Sequence, residues 1–206
     1  MSEFKVFISG QKYFGAEILR LCISLKFDVV GVCCPIGDKY IGDLAVKMGI
    51  KIIQAGTLCA ENMPKCDLGI TAHSFDYIGR LTRYIPSFGW IGYHPSLLPR
   101  HRGRSSIEWA IRMNDPVIGG TVFWLNAGID RGDIERQEWR WLDKTKTAKM
   151  IWQDDLLPLG VQLMKNALID ISNGVINKTP QDNRFSTFEP SLDVKDIYKP
   201  DLLMLK

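Results

Sequence analysis

No apolar run in this sequence approaches the roughly 20 residues that a membrane-spanning helix needs, which excludes a helical membrane span. None of the five cysteines (Cys22, Cys33, Cys34, Cys59, Cys66) stands at C-x2-C spacing, so no cysteine metal site is expected. Cys22, Cys33 and Cys34 lie in apolar runs and read as buried thiols. An odd cysteine count without a signal-peptide pattern predicts a reducing, cytoplasmic setting. Charge of neither sign is in excess. Lys and Arg total 26, Asp and Glu 23, and the net charge of +3 is too small to point to nucleic acid. Internal repeats and low-complexity runs are absent. The Gly10–Gly15 turn lacks the Lys-Ser/Thr of a phosphate loop and the middle glycine of a dinucleotide fingerprint. It reads as a plain strand-to-helix turn, whose backbone amides can still meet an anion.

What remains is ordinary globular material. With 206 residues, 46% hydrophobic and 24% charged, the chain suits one domain with a sizeable core. Phe4 to Ser9 is a short apolar strand. Phe14, Ile18, Leu21 and Leu25 recur at helical spacing over Tyr13 to Leu25. Phe27 to Cys34 is a near-continuous apolar run, as a strand buried on both faces should be. These three make a βαβ unit. Asp43 to Met48 predicts a helix, Ile50 to Gln54 and Leu68 to Ala72 strands, and Tyr77 to Tyr84 a short helix. A helix is expected over Ser105 to Met113, and strands over Thr121 to Leu125 and Gln137 to Leu142, the last at an edge or antiparallel. A helical stretch over Ala148 to Leu157 and Gly160 to Asn173 is expected to break at Pro158. These elements give an α/β fold class: a doubly wound, mostly parallel sheet, an antiparallel strand toward the C-terminal part, and helices on both faces. Residues 1–178 are expected to form the domain. Residues 179–206, punctuated by Pro180, Pro190 and Pro200, read as an extended tail packed on it or in a dimer contact. Leu202 to Leu205 are apolar enough to dock.

The chemistry concentrates in Trp90 to Gly103, W-I-G-Y-H-P-S-L-L-P-R-H-R-G. The stretch enters as a strand, and His94 stands where the strand ends. Pro95 and Pro99 stiffen the loop beyond it. Open α/β sheets keep their reactive groups at the carboxyl ends of strands. Asp130 lies 36 positions further on (130 − 94), in a turn flanked by Gly128 and Gly132. A carboxylate on a neighbouring loop can orient an imidazole and steady its charged form. Arg100 to Arg104 places four basic or titratable groups in five residues. It reads either as a solvated loop or as a positive rim for an anionic substrate.

The words H-P-S-L-L-P-R-H-R-G (His94 to Gly103) and G-I-D-R-G-D (Gly128 to Asp133) resemble signatures of the formyltransferase family that uses 10-formyltetrahydrofolate. The likeness is greatest to the hydrolase domain of 10-formyltetrahydrofolate dehydrogenase and extends to methionyl-tRNA formyltransferase catalytic domains. It runs from about Lys5 to Pro190. It implies a Rossmann-like fold and a role in one-carbon metabolism. The formyl group would pass from 10-formyltetrahydrofolate to an amine of a small-molecule acceptor, with His94 and Asp130 handling oxyanion and protons. No metal is implied. By resemblance Thr71, Ala72, His73, Ser74, Leu97, Leu98 and Gly128 would meet the folate, and Gly10, Gln11, Arg100 and Arg102 the acceptor. The tRNA-specific enzyme carries a further barrel domain after this region, so tRNA is not the expected acceptor. A monomer and a homodimer both remain open.

One position departs from the pattern. The transferases carry an asparagine two residues before the histidine, whose amide donates to the oxyanion. Here that residue is Gly92. The dehydrogenase's hydrolase domain also lacks the asparagine. This puts two readings beside the transferase: a 10-formyltetrahydrofolate hydrolase releasing formate and tetrahydrofolate, and a folate-binding protein without catalysis. A water above Gly92, or the side chain of His73 or Ser74, is a candidate substitute for the missing donor.

Overall fold

The computed structural model describes residues 4–192. Seven strands form one sheet: β1 (Lys5–Gly10), β2 (Asp28–Cys34), β3 (Ile52–Gln54), β4 (Leu68–Ala72), β5 (Trp90–His94), β6 (Val117–Trp124) and β7 (Ile134–Trp141). Their order is β3-β2-β1-β4-β5-β6-β7. All neighbours among β1 to β5 are parallel, while β6 is antiparallel to both β5 and β7. One reversed strand, β6, therefore stands in an otherwise parallel Rossmann-like sheet. The chain moves outward from β1 to β3 and then returns to the other side of β1 as β4. The crevice at this reversal lies beyond the carboxyl ends of β1 and β4, where such sheets bind ligands.

Alternation along β1 shows how the faces divide. Val6 and Ile8 point into the larger core with α1 (Lys12–Ser24), α2 (Ile41–Lys47), α4 (Ser106–Arg112) and α6 (Leu157–Ser172). Phe7 points the other way, into a smaller cluster with Cys33, Ile53, Met63, Cys66, Ile78 and Trp90. That second face is roofed by the irregular segment 55–66 and by the single turn of α3 (Arg80–Arg83). The helix expected over residues 77–84 thus shrinks to four residues. Trp90 is 1% exposed and lies flat over Gly69, where an added Cβ would come within 2.5 Å of three ring atoms. Only glycine accommodates that approach. The Trp90 indole N–H donates to the Thr82 carbonyl at 3.2 Å, tying α3 down.

The break expected at Pro158 does not occur. A short helix α5 (Ala148–Met150) runs into a π-helical turn (Ile151–Leu156), which runs directly into α6. Pro158 sits in the first turn of α6, where a missing N–H costs least. The wider π turn delivers the chain to that position without a kinked break. Tyr93 donates its hydroxyl to the Leu156 carbonyl at 2.7 Å, at this junction. Four of the cysteines (Cys22, Cys33, Cys34, Cys66) are buried and all five are free. Among the described residues no helix is long and apolar enough to cross a membrane.

The segment after residue 178 is bound to the domain as far as it is described. Thr179 pairs with Ile134, and Phe188 with Arg102. The apolar residues 202–205, expected to dock, lie outside the described residues.

Candidate active site

His94 is the last residue of β5, 7% exposed, with its ring fixed from two sides. Nε2–H donates to the His101 carbonyl at 2.7 Å. A carbonyl only accepts, so this bond places a proton on Nε2. Nδ1 is then the nitrogen left for exchange, and it faces Asp130 Oδ2 at 3.6 Å. The His101 carbonyl, rather than Asp130, therefore fixes the tautomer of His94. Asp130 stands instead as a nearby counter-charge. Its Oδ2 accepts the Gly103 N–H at 2.7 Å, so one carboxylate oxygen joins the two loops. Asp130 has φ +51, a left-handed conformation that Asp and Asn tolerate better than most residues.

The loop between His94 and Gly103 is held by partners far away in sequence. Thr121 Oγ1 donates to the Ser96 carbonyl at 2.7 Å and accepts the Leu98 N–H at 3.2 Å. Gln137 donates to Thr121 and to the Leu98 carbonyl. His101 is 3% exposed, and its ring lies between Asp115 (Nε2 to Oδ2, 2.8 Å) and Glu189 (Nδ1 to Oε1, 3.2 Å). Arg100 forks onto the same Asp115, with Nε at 2.8 Å and Nη2 at 2.6 Å. Arg102, 3% exposed, donates to Gln181 and Asn183. Gln181 in turn donates to the carbonyls of Asp130 and Gly132. Of the two readings of this loop, solvated stretch or positive rim, neither describes both arginines. Arg102 is buried and held by Gln181 and Asn183, whereas Arg100, with 42% of its side chain exposed, is paired with Asp115 at the surface. Nothing within the local sequence announces this, since Asp115 and Gln181 lie 15 and 79 positions away.

Burial alone would raise the Asp115 carboxyl, but the bonds from Arg100 and His101 overcome it and hold the group below the usual carboxylate range. A depressed carboxylate stabilises the fold above its unfolded value and loses that contribution as pH falls through the folded value. Asp115→Asn is therefore expected to lower stability at neutral pH by about 1–3 kcal/mol. It should also flatten the loss of stability below about pH 4. Thermal melts of both proteins across pH 3 to 7 check this. Parallel curves would show that Asp115 does not carry the acid sensitivity.

The residues expected to meet folate divide into three places. Thr71 and Ala72 end β4, and His73 and Ser74 come directly after. His73 has φ +57, and its ring packs edge-on against Phe75 and Trp152. Burial, then repulsion from Lys12, lowers its pKa and so disfavours the charged ring. Gly128 lies in the exposed β6–β7 turn, its N–H bonded to Asn126. Leu97 and Leu98 pack back toward β6. Leu97 sits where a side chain at Gly119 would project, and Leu98 is 2% exposed. Leu97 also lines a cavity of about 320 Å³ with Arg100, His101 and Asp115, whose lining includes neither His94 nor Asp130. On the other side of the crevice, Gly10 closes β1, and the Gln11 N–H donates to the Ala72 carbonyl at 3.2 Å. The Gln11 side chain is 9% exposed, and its amide nitrogen has no partner among the described residues.

Residues 67–164, which hold both His94 and Asp130, match the family model described as formyl transferase. Over these residues the chain carries the sequence pattern of the formyl transferase family. The mitochondrial 10-formyltetrahydrofolate dehydrogenase of Mus musculus is 39% identical to this chain over 203 residues, 91% of this chain and 22% of that protein. The methionyl-tRNA formyltransferase of Ruminiclostridium cellulolyticum is 28% identical over 203 residues, 90% of this chain and 64% of that protein. The solved N-formyltransferase of Helicobacter canadensis, in complex with folinic acid and dTDP-3-aminofucose, shares the fold. Its TM-score is 0.76 at 21% identity, over 90% of this chain and 70% of that one. The chain thus spans about a fifth of the length of the dehydrogenases that it matches. Sequence reasoning missed Asp115, Gln181 and Glu189, which hold the loop around His94 and Asp130 through His101, Arg100 and Arg102.

Proposed function

We propose that this chain takes the formyl group of 10-formyltetrahydrofolate and delivers it to an amine of a small molecule. The observation that carries this is His94 Nδ1 facing Asp130 Oδ2 at 3.6 Å, at the carboxyl end of β5, with Nε2 already committed. In this reading the acceptor nitrogen attacks the formyl carbon, the carbonyl electron pair moves onto oxygen, and His94 Nδ1 takes a proton from the attacking amine. Asp130 steadies the resulting imidazolium. Collapse breaks the bond to N10, and the proton passes to that nitrogen. The unpartnered Gln11 amide, buried beside the end of β4, supplies a donor for a carbonyl, hydroxyl or phosphate oxygen of the acceptor. Thr71 to Ser74 and Gly128 remain the proposed folate contacts. The folate and amino-sugar nucleotide in the Helicobacter canadensis complex are consistent with a small acceptor.

A second reading replaces the amine by water, giving formate and tetrahydrofolate. Gly92 and the 39% identity to a 10-formyltetrahydrofolate dehydrogenase favour it. Consumption of 10-formyltetrahydrofolate, measured with and without a panel of amino-sugar nucleotides and other small amines, separates the two. The transfer reading expects an amine-dependent rate and a formylated amine by mass spectrometry. Formate released at the full rate without any amine would replace transfer by hydrolysis.

A further inference from the structure

Resting on the formyl-donor reading, we propose that the Thr71 hydroxyl is the oxyanion donor of this site, occupying the space that a side chain at position 92 would fill. Residues 92 and 94 are two apart on β5 and project on one face. Thr71 pairs with Gly92 across the β4–β5 ladder, so its side chain rises on that same face. A Cβ built on Gly92 would lie 2.3 Å from Thr71 Oγ1, with Leu125 Cδ1 at 3.2 Å and Phe123 Cε1 at 3.5 Å. The hydroxyl therefore stands on the same face of the sheet as His94, in the place of a side chain at 92, where the other two nearest atoms are apolar.

The other candidate donors are committed elsewhere. Thr71 Oγ1 already stands in the place directly above Gly92 that a substitute water would take, with Leu125 and Phe123 as the next nearest side chains. Ser74 Oγ is shared with Ser9 Oγ at 2.8 Å and accepts the Asp76 N–H at 3.1 Å. The His73 ring packs on Trp152, which itself packs on Phe14. Thr71 Oγ1 donates only to the Ile91 carbonyl, at a long 3.4 Å. Such a bond is weak and is readily exchanged for an anionic acceptor, which binds a hydroxyl more strongly than a neutral carbonyl does. When amine or water adds to the formyl carbon, the carbonyl pair moves onto oxygen and Oγ1–H turns to it. When the bond to N10 breaks, that pair re-forms the carbonyl and the hydroxyl returns to Ile91. No atom of Thr71 is consumed.

Thr71→Val keeps the shape and removes the donor, and Thr71→Ala serves should valine fold poorly. Turnover of 10-formyltetrahydrofolate is expected to fall about 100-fold in kcat. The dissociation constant for 5-formyltetrahydrofolate, by calorimetry, should change less than about threefold, since the donor acts on the transition state. Thr71→Ser, which keeps the hydroxyl, should lose less than about tenfold. Gly92→Asn forces a side chain into Oγ1 and should lower kcat. A Thr71→Val protein with undiminished kcat would overturn the assignment, as would a loss seen wholly in binding or a faster Gly92→Asn protein. Wild-type protein that binds folate but turns over neither with amines nor with water would overturn the proposed function as well.

Discussion

Replacing His94 by alanine should lower turnover of 10-formyltetrahydrofolate by about 100- to 10,000-fold in kcat, the range of a positioned acid–base group. The Nε2–H bond to the His101 carbonyl leaves Nδ1 as the nitrogen that can exchange a proton, and alanine removes it. Alanine also leaves the His101 carbonyl without its donor, which costs about 1–3 kcal/mol unless water enters. The melting temperature should therefore drop by several degrees while the protein stays folded. The decisive comparison is kcat against the dissociation constant for 5-formyltetrahydrofolate. Loss in kcat with retained binding fits a group that moves protons. Added imidazole should recover part of the rate, because the vacated space lies next to Asp130. A His94→Ala protein with near-normal kcat would remove the imidazole from the reaction.

The juxtaposition of His94 and Asp130 is legible because each member sits where local chemistry speaks. His94 ends an apolar strand before a proline, and Asp130 stands in a turn bounded by glycines. All three histidines of the chain, His73, His94 and His101, fall on or just after β4 and β5. The run R-H-R-G leaves two readings open for the opposite reason. Local sequence shows charges but not their partners. Asp115, Gln181, Asn183 and Glu189 reach that loop only through the fold, and they pair with Arg100, His101 and Arg102 in a brace that is buried at His101 and Arg102. Pro158 misleads in a related way. Proline ends a helix only when its N–H position is needed, and the π turn before it puts it where that bond is not made. Gly92 signals that a donor is missing. That its place is taken from the neighbouring strand depends on the β4–β5 register, which one strand's sequence does not encode.

Asp130→Asn should separate charge from shape at the second member of the pair. Asparagine tolerates the left-handed conformation at φ +51 as well as aspartate does, and its carbonyl oxygen can still accept the Gly103 N–H. Stability should therefore stay within about 0.5 kcal/mol of the wild type. The counter-charge to the imidazolium is lost, however. At 3.6 Å that attraction is worth about 4.6 kcal/mol at an effective dielectric constant near 20, before desolvation offsets part of it. A loss of about 100- to 1000-fold in kcat is expected if some 3 to 4 kcal/mol reaches the transition state. Asp130→Ala should lose a similar rate and stability besides. A Cβ-bearing residue without a polar tip strains the left-handed turn by about 1–2 kcal/mol and leaves the Gly103 N–H without its acceptor. Kinetics and melts on both variants check the split. An Asp130→Asn protein that stays within a few-fold of wild-type kcat would show that the carboxylate positions the loop and nothing more. Equal melting temperatures for the two variants would show that the Gly103 bond and the turn conformation are not what Asp130 contributes to the fold.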